Sequence, residues 1–242
     1  MVSEAYNQLQ FDAPGDRSIS FIIEPDKTSV FDLFSQYVIR KHSIARLLSA
    51  TDELIPGWEV INDQYPMRVY LSPSSEEYRG VLRSFQATIS ATKTNDNIRI
   101  ERIQNERLYR QYQIEKKHFY KMLKKDTEQT LYHGCPNDDA KLQSIIEQGL
   151  DRSRAGEANG VVYGRGVYFS TKAGESHRYT VPSPKTGERT MFVCSVLIGK
   201  STQGNSQIKR CPDGYHSTTN GSSIYVVYRD NQAYANYLIH YR

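Results

Sequence analysis

Apolar residues recur along the chain at helical spacing in two stretches. In the first stretch they fall at positions i, i+3, i+4, i+7 and i+11 and predict one buried helix face: Tyr78, Val81, Leu82, Phe85 and Ile89. The residues just before it, Ser74-Ser75-Glu76-Glu77, predict a capping box in which a serine hydroxyl and Glu77 bond each other's free backbone amides. The second stretch predicts a basic helix that runs to about Lys125, with this apolar stripe: Leu108, Tyr112, Phe119 and Leu123.

Short apolar or alternating runs, bounded by turn residues, predict the strands. One strand is expected at Tyr168, and the others cover residues 18–23, 67–71, 98–103, 130–134, 191–198, 223–228 and 237–241. A helix around Leu142 is predicted to end at Gly149, whereas residues 200–220 are polar and show no pattern. Because strands outnumber helices and the two do not alternate, the sequence predicts an α+β fold and not a doubly wound sheet.

The first 54 residues are the least informative part of the sequence. A helix is predicted over residues 30–48, with these apolar positions: Phe31, Phe34, Val38 and Ile44. No motif is found there. We therefore expect residues 1–54 to be a small N-terminal extension of unknown role and residues 55–242 to be a separate domain.

The composition is that of a globular protein, with 38% hydrophobic and 24% charged residues in a chain of 242. No run approaches the ~20 apolar residues that a membrane-spanning helix needs, and the first residues lack the pattern of a secretory signal. The three cysteines, Cys135, Cys194 and Cys211, are odd in number and widely spaced. They predict a reducing compartment, the cytoplasm or the nucleus, and no metal site.

The positive charge is concentrated in one part of the chain. Residues 97–125 contain nine Lys or Arg and three Glu, a net charge of +6, whereas the whole chain carries +4. One interpretation is a solvated helix face, because runs of charge are usually solvated. The other is a surface that binds nucleic acid or an acidic partner.

Two glycines flank Arg165 and precede an apolar run that contains Tyr168. This pattern predicts a tight turn that leads into a strand, where the backbone near Gly166 can be approached closely by another group. Taken one at a time, His133, Tyr168 and Ser176 are more readily interpreted as structural residues than as functional ones. Their joint arrangement is more informative.

Four separated segments together resemble the catalytic domain of the poly(ADP-ribose) polymerase family. They are Leu131-Tyr132-His133-Gly134, Tyr163-Gly164-Arg165-Gly166-Val167-Tyr168-Phe169, Ser176-x-x-Tyr179 and Ser223-Ile224-Tyr225-Val226-Val227-Tyr228. Tyr168 follows His133 by 35 residues, and Ile224 follows Tyr168 by 56. The segment 100–105 and the basic helix after it resemble the branch of the family that transfers single ADP-ribose groups. The resemblance covers about residues 55–242.

This resemblance implies an ADP-ribosyltransferase-like fold, in which an antiparallel split sheet with flanking helices surrounds a cleft for the co-substrate NAD+. It implies that the Gly134 backbone and the Ser176 hydroxyl bind the carboxamide of nicotinamide. Tyr168 and Tyr179 would sandwich the cationic ring, whose charge an aromatic face favours. His133 would bind a ribose hydroxyl.

Two further positions belong to the NAD+-binding set that the resemblance implies. The loop with Arg152 and Arg154 lies where the family covers the adenosine and the pyrophosphate, and a guanidinium group suits that charge. Gly166 would contribute through the turn beside Tyr168. No metal is implied.

Ile224 stands where polymer-forming members of the family carry a glutamate that binds one ribose hydroxyl and activates the next. The resemblance therefore implies that His133, Tyr168 and Ile224 form the catalytic set and that one ADP-ribose is transferred to a protein side chain. The acceptor itself would supply the carboxylate, as Asp or Glu. Two alternatives remain open: a catalytically silent module that binds NAD+ or ADP-ribose, and ADP-ribosylation of nucleic-acid ends.

Overall fold

The structure, a computed structural model, describes residues 8–11, 19–22, 55–61, 67–90, 97–154 and 161–242. Contacts within the chain divide it into one unit of residues 1–57 and a second of residues 58–242. In the first unit β1 (Gln8–Phe11) pairs antiparallel with β2 (Ile19–Ile22), which confirms the strand predicted over 18–23. The predicted helix over 30–48 lies outside the described residues.

The second unit is built on a sheet of nine strands in the order β3-β4-β11-β7-β5-β6-β10-β9-β8. Their bounds are β3 (Arg68–Tyr70), β4 (Arg99–Ile103), β5 (Glu128–Cys135), β6 (Val167–Ser170), β7 (Arg189–Leu197), β8 (Ser201–Gln203), β9 (Ser217–Thr219), β10 (Ile224–Val227) and β11 (Ala233–Tyr241). Neighbours pair antiparallel except β8 and β9, which are parallel. The predicted α+β class is confirmed, but the sheet is mixed.

The sheet is narrowest between β5 and β6, and this narrow joint corresponds to the split that the family resemblance implies. β5 and β6 meet through one residue pair, Tyr132 opposite Ser170, whereas β5 pairs with β7 along its whole length. Five strands therefore lie on one side of this joint and four on the other, within one hydrogen-bonded order.

The polar stretch 200–220, for which the sequence shows no pattern, contains β8, at one edge of the sheet, and β9 beside it. Hydroxyl groups hold these strands in place of apolar contacts. Ser201 and Ser217 share a hydrogen bond between their Oγ atoms at 2.7 Å, and Ser217 Oγ donates to the Ile198 carbonyl at 2.7 Å. Because serine and threonine replace the usual apolar alternation, these strands have no periodic signal to detect.

Both predicted helical stripes are confirmed in α1 (Glu76–Gln86) and α2 (Glu106–Leu123), where Tyr78, Phe85, Tyr112 and Phe119 are buried. α3 (Asp139–Gln148) ends at Gly149, as predicted, and α4 (Ala173–Ser176) is a single turn.

The predicted capping box is wrong. Ser75 caps α1 by accepting from the Tyr78 amide at 3.1 Å. The Glu77 carboxylate instead accepts from Arg102 Nη1 at 2.8 Å and from the Tyr237 hydroxyl at 3.0 Å. The Glu77 carboxylate is therefore bonded to two residues of the sheet and does not cap the helix.

Apolar clusters cover both faces of the sheet, so that the central strands are buried on each side. Met191 and Phe192 are neighbours on β7 and belong to different clusters, as the alternation of a strand requires. One cluster contains Leu131 and Phe169, the other Tyr132. Among the described residues, no helix is long and apolar enough to cross a membrane.

Candidate active site

The strands that carry the sequence motifs are neighbours in the order β5-β6-β10. Between β6 and β10, Tyr168 lies opposite Val226 and Ser170 lies opposite Ile224. Opposite residues of an antiparallel pair share a face, as do residues two apart on one strand. Tyr168 and Ile224, separated by 56 residues in the sequence, are thus brought to the same face of this strand pair.

His133 on β5 is bound to the backbone of β6. Its Nδ1 lies 2.8 Å from the Tyr168 carbonyl oxygen, and because a carbonyl can only accept, Nδ1 carries the proton. Burial lowers the pKa of His133 although the Tyr168 carbonyl opposes this change, so the ring is neutral at pH 7. Nε2 therefore offers a lone pair, and no described residue donates to it. It is suited to accept a hydrogen bond from a ligand hydroxyl.

The hydroxyl of Tyr168 fixes the direction of its ring. It donates to the Gly164 carbonyl at 2.8 Å and accepts from the Tyr163 amide at 2.8 Å. Burial raises the pKa of Tyr168, and the nearby Tyr179 contributes to this change. Tyr179 itself lies in the 3₁₀ turn His177–Tyr179 and is 43% exposed. One ring of the predicted pair is therefore anchored, whereas the other is open to solvent.

The glycines before Tyr168 are required by packing. Gly164 has a φ of 124°, and a Cβ atom there would lie 2.0 Å from the Tyr228 hydroxyl. A Cβ atom on Gly166 would lie 2.3 Å from the Val227 carbonyl oxygen. The predicted tight turn is confirmed, and the group that approaches Gly166 closely is the chain's own strand β10. The part predicted for Gly166 in NAD+ binding stays a prediction.

Gly134 and Ser176 are in direct contact, which the sequence did not predict. A Cβ atom on Gly134 would lie 2.0 Å from the Ser176 carbonyl oxygen, so only glycine lets α4 pack against β5. The Ser176 hydroxyl is buried and donates to the Tyr132 carbonyl at 2.9 Å. A Ser176 hydroxyl that donated to a carboxamide would have to rotate away from Tyr132.

Arg152 lies at the surface, at the start of the 3₁₀ turn Arg152–Arg154. Its guanidinium group makes no hydrogen bond or ion pair with any described residue. The rest of its loop, residues 155–160, lies outside the described residues. Arg152 is exposed, and its contact with the pyrophosphate stays a prediction.

Ile224 begins β10 and is half-buried. Its backbone amide donates to the Asn220 side chain at 2.9 Å, which also accepts from the amides of Ser222 and Ser223. This turn sets where the strand starts and therefore which residue lies opposite Ser170. The side chain at this position is aliphatic and can neither accept a hydrogen bond nor carry a charge.

One charged group beside the site was missed from the sequence. Glu175 on α4 accepts hydrogen bonds from the hydroxyls of Ser170 and Ser223, the residue before Ile224. It stands directly before Ser176 of the Ser-x-x-Tyr motif, but no spacing rule links a carboxylate at 175 to serines at 170 and 223. Only the folded chain brings Glu175 close to both serines, so the sequence alone does not indicate this contact.

Comparison with known proteins is consistent with this geometry. The model of the poly(ADP-ribose) polymerase catalytic domain matches residues 75–223. Human protein mono-ADP-ribosyltransferase PARP14 is 32% identical over 213 residues, which are 83% of this chain and 12% of that protein. A probable poly(ADP-ribose) polymerase of Dictyostelium discoideum is 32% identical over 203 residues, 79% of this chain and 58% of that protein. Mouse protein mono-ADP-ribosyltransferase PARP10 is 32% identical over 183 residues, which are 70% of this chain and 19% of that protein.

The family match covers more than half of the chain, and the chain belongs to the poly(ADP-ribose) polymerase catalytic domain family. It has the ADP-ribosyltransferase fold of that family, whose enzymes use NAD+ as co-substrate. The chain spans 12% to 58% of the length of the three relatives named above.

Proposed function

We propose that this chain is an NAD+-dependent protein mono-ADP-ribosyltransferase. The proposal rests on the adjacency of β5, β6 and β10. His133 Nδ1 donates to the Tyr168 carbonyl, and Tyr168 and Ile224 share one face of β6 and β10. Two of the three relatives named above are described as mono-ADP-ribosyltransferases and one as a probable poly(ADP-ribose) polymerase. The isoleucine at position 224 favours transfer of a single ADP-ribose over formation of a polymer.

The cleft for NAD+ would lie on the face of β6 and β10 that carries Tyr168. The anchored Tyr168 ring would stack on one side of the nicotinamide and Tyr179 on the other, and each contact of a cation with an aromatic face contributes ~0.5–2 kcal/mol. His133 Nε2 would accept a hydrogen bond from a ribose hydroxyl. Arg152 would bind the pyrophosphate, because its guanidinium group has no other partner among the described residues.

The reaction would break the bond between the nicotinamide nitrogen and the ribose C1′. Nicotinamide leaves as a neutral molecule with the bonding electron pair, and positive charge develops on the ribose as in glycoside cleavage. An acceptor carboxylate, from an Asp or Glu side chain, then forms a C–O bond at C1′. No proton is released in this step, so the enzyme needs no base to activate such an acceptor.

Ile224 limits the reaction to one transfer. Elongation requires a group that holds a ribose hydroxyl of the bound ADP-ribose and removes its proton as it attacks. An isoleucine side chain can do neither, and the hydroxyl remains a poor nucleophile at neutral pH.

Release of nicotinamide from NAD+ tests this proposal. We expect wild-type protein to release nicotinamide and His133→Ala to release at least tenfold less at limiting NAD+. His118→Ala, a change at an exposed histidine on α2, serves as the matched control and should leave the rate unchanged. Binding of NAD+ without release would indicate the silent module. Equal release by the wild-type protein and both variants would place the chemistry elsewhere.

A second candidate function is nucleic-acid binding by the basic region 97–125. A cavity of about 270 Å³ on α2 is lined by Lys116, Lys117, Lys121 and Lys125, together with Asp126 and Thr127. The Thr127 hydroxyl is buried and has no hydrogen-bond partner in the part of the chain that the structure describes, and Tyr120 at the same cavity is 58% exposed. Lysines, an open aromatic ring and an unpaired hydroxyl together suit a nucleotide phosphate and its base.

Lys116 is a poor probe of this surface because it forms ion pairs with Glu128 at 2.9 Å and Asp126 at 3.8 Å. Lys117→Glu and Lys121→Glu change exposed lysines with no ion pair to a described residue. Both changes should weaken binding of a 5′-phosphorylated single-stranded RNA and reduce the dependence of its affinity on salt. If the affinity for this RNA does not change with salt concentration, or does not change in either variant, nucleic-acid binding by this region is excluded.

A further inference from the structure

A carboxylate is held beside position 224 by two serine side chains, one at the end of β6 and one just before β10. Glu175, half-buried on α4, accepts from Ser170 Oγ at 2.7 Å on its Oε2 atom. Ser223 Oγ donates to the same carboxylate, at 2.9 Å from Oε1 and 2.7 Å from Oε2. Glu175 therefore bridges the last residue of β6 and the residue that precedes Ile224.

This bridge lies on the face of the strand pair that the proposed NAD+ cleft uses. Ser170 stands directly opposite Ile224 and two residues after Tyr168, so the three side chains share one face. A carboxylate bonded to Ser170 Oγ is consequently held at the end of the strand pair where Ile224 presents no polar atom.

Glu175 is ionised under the conditions in which the enzyme would act. Burial raises the pKa of Glu175, but the hydroxyls of Ser223 and Ser170, with Lys172 and Arg178 nearby, outweigh burial and lower the pKa below its ordinary value. A carboxylate offers about four sites for hydrogen bonds, and two serine protons leave sites free for another donor. The group can therefore accept from a ligand hydroxyl without losing its present partners.

We propose that Glu175 provides the carboxylate of the active site that position 224 lacks. It accepts a hydrogen bond from a hydroxyl of the nicotinamide ribose and stabilises the positive charge that develops there as nicotinamide leaves with the bonding electrons. Glu175 takes up no proton in this step. This inference rests on the proposed function and adds to it a residue of the cleavage step.

The same contacts explain why such a carboxylate would support cleavage without elongation. Two hydroxyl donors stabilise the anion and make it a weak base, so it is poorly suited to take a proton from an attacking ribose hydroxyl. Electrostatic stabilisation needs only a fixed negative charge near the reacting centre, and the two serines fix it.

Glu175→Gln separates charge from structure. The amide keeps the shape of the side chain and can still accept from one serine and donate to the oxygen of the other. We expect the rate constant for nicotinamide release to fall by about 100-fold, typical for loss of a preorganised charge-stabilising group. The KM for NAD+ should change less than threefold, and the melting temperature should stay within a few degrees. Glu76→Gln, at an exposed carboxylate on α1, is the matched control.

Placing a new carboxylate at position 224 tests whether Glu175 acts through its charge. If Glu175 were purely structural, this second change would not restore the rate of nicotinamide release. In Glu175→Gln combined with Ile224→Glu, the new side chain starts from the residue opposite Ser170 and should recover at least tenfold of the lost release rate. If Glu175→Gln retains activity within threefold of wild type, Glu175 is not the carboxylate of the site. A lost activity that comes with a lowered melting temperature and no recovery also overturns the proposal. Absence of release by the wild-type protein would refute the proposed function itself.

Discussion

Ser170 and Ile224 stand opposite each other in the antiparallel pair of β6 and β10, one step along the same face from Tyr168. Ser170 binds the Glu175 carboxylate, whereas Ile224 has no polar side-chain atom. Position 224, where the family resemblance implies a glutamate in polymer-forming members, is thus apolar here, with a carboxylate from another element fixed beside it. We propose that the apolar side chain at 224 and the carboxylate at 175 together determine what this site does with NAD+.

Ile224→Glu alone is expected not to create a polymerase. The new carboxylate would lie close to Glu175, and two like charges at one site raise the pKa of one of them. Neither carboxylate would then combine a free negative charge with the base strength that elongation requires. Electrophoresis after incubation with labelled NAD+ should show single additions only, and a ladder of lengthening products would contradict this reading of position 224.

Gly134→Ala should destabilise the protein by several kcal/mol. Its Cβ atom would lie 2.0 Å from the Ser176 carbonyl oxygen, which belongs to the backbone and cannot move without displacing α4. Gly80→Ala is the control, because the Gly80 site on α1 is open and alanine favours a helix by ~1 kcal/mol over glycine. Urea unfolding of both variants measures the difference. Equal stabilities would show that α4 does not rest on Gly134.

Tyr168→Phe should cost about 1–3 kcal/mol of stability, because it leaves the Tyr163 amide and the Gly164 carbonyl without their partner. The aromatic face is kept, so we expect the KM for NAD+ to rise only through loss of ring orientation. Tyr225→Phe changes a tyrosine on the opposite face, whose hydroxyl bonds no described residue. Calorimetric melting of both variants compares them, and a Tyr168→Phe protein as stable as Tyr225→Phe would show that the hydroxyl anchors nothing.

Glu101 on β4 should make stability depend on pH in the acid range. Burial raises the pKa of Glu101, but His240 and Arg68 donate hydrogen bonds to its carboxylate and lower the pKa to about 2. Because the pKa is lower in the folded state, this contribution is present above pH 4.5, the ordinary value. It is lost as the pH falls from there towards 2.

The Glu101 contribution is on the order of 3 kcal/mol at pH 7, since each pKa unit corresponds to about 1.4 kcal/mol. Glu101→Gln should therefore lower the free energy of unfolding at pH 7, and its difference from wild type should shrink towards pH 2.5. Urea titrations at pH 7, 4 and 2.5 test this, with Glu76→Gln as a surface control. A difference that does not change with pH would mean that the ion pair contributes nothing.

The elements with strong apolar periodicity could be predicted from the sequence. α1 and α2 were found because large side chains such as Phe85 and Phe119 recur on one face and are fully buried in the structure. β8 and β9 were missed because hydroxyl groups hold them, and hydroxyl-bearing residues are equally common in loops.

Part of the candidate site could also be predicted from the sequence. Ordered motifs indicated which residues meet, and the structure brings His133, Tyr168 and Ile224 together on three neighbouring strands. The contact of Gly134 with Ser176 depends on where α4 packs, and the bridge from Glu175 to Ser223 spans 48 residues. Neither relation leaves a pattern in the sequence.

Intact-mass spectrometry of the purified chain after incubation with NAD+ tests single transfer most directly. We predict discrete additions of one ADP-ribose per modified side chain in the wild-type protein and no addition in His133→Ala. His118→Ala should match the wild type. A distribution of masses that grows by successive ADP-ribose units on one site would contradict single transfer. An unchanged mass, with stabilisation of the protein by NAD+, would indicate a binding module in place of an enzyme.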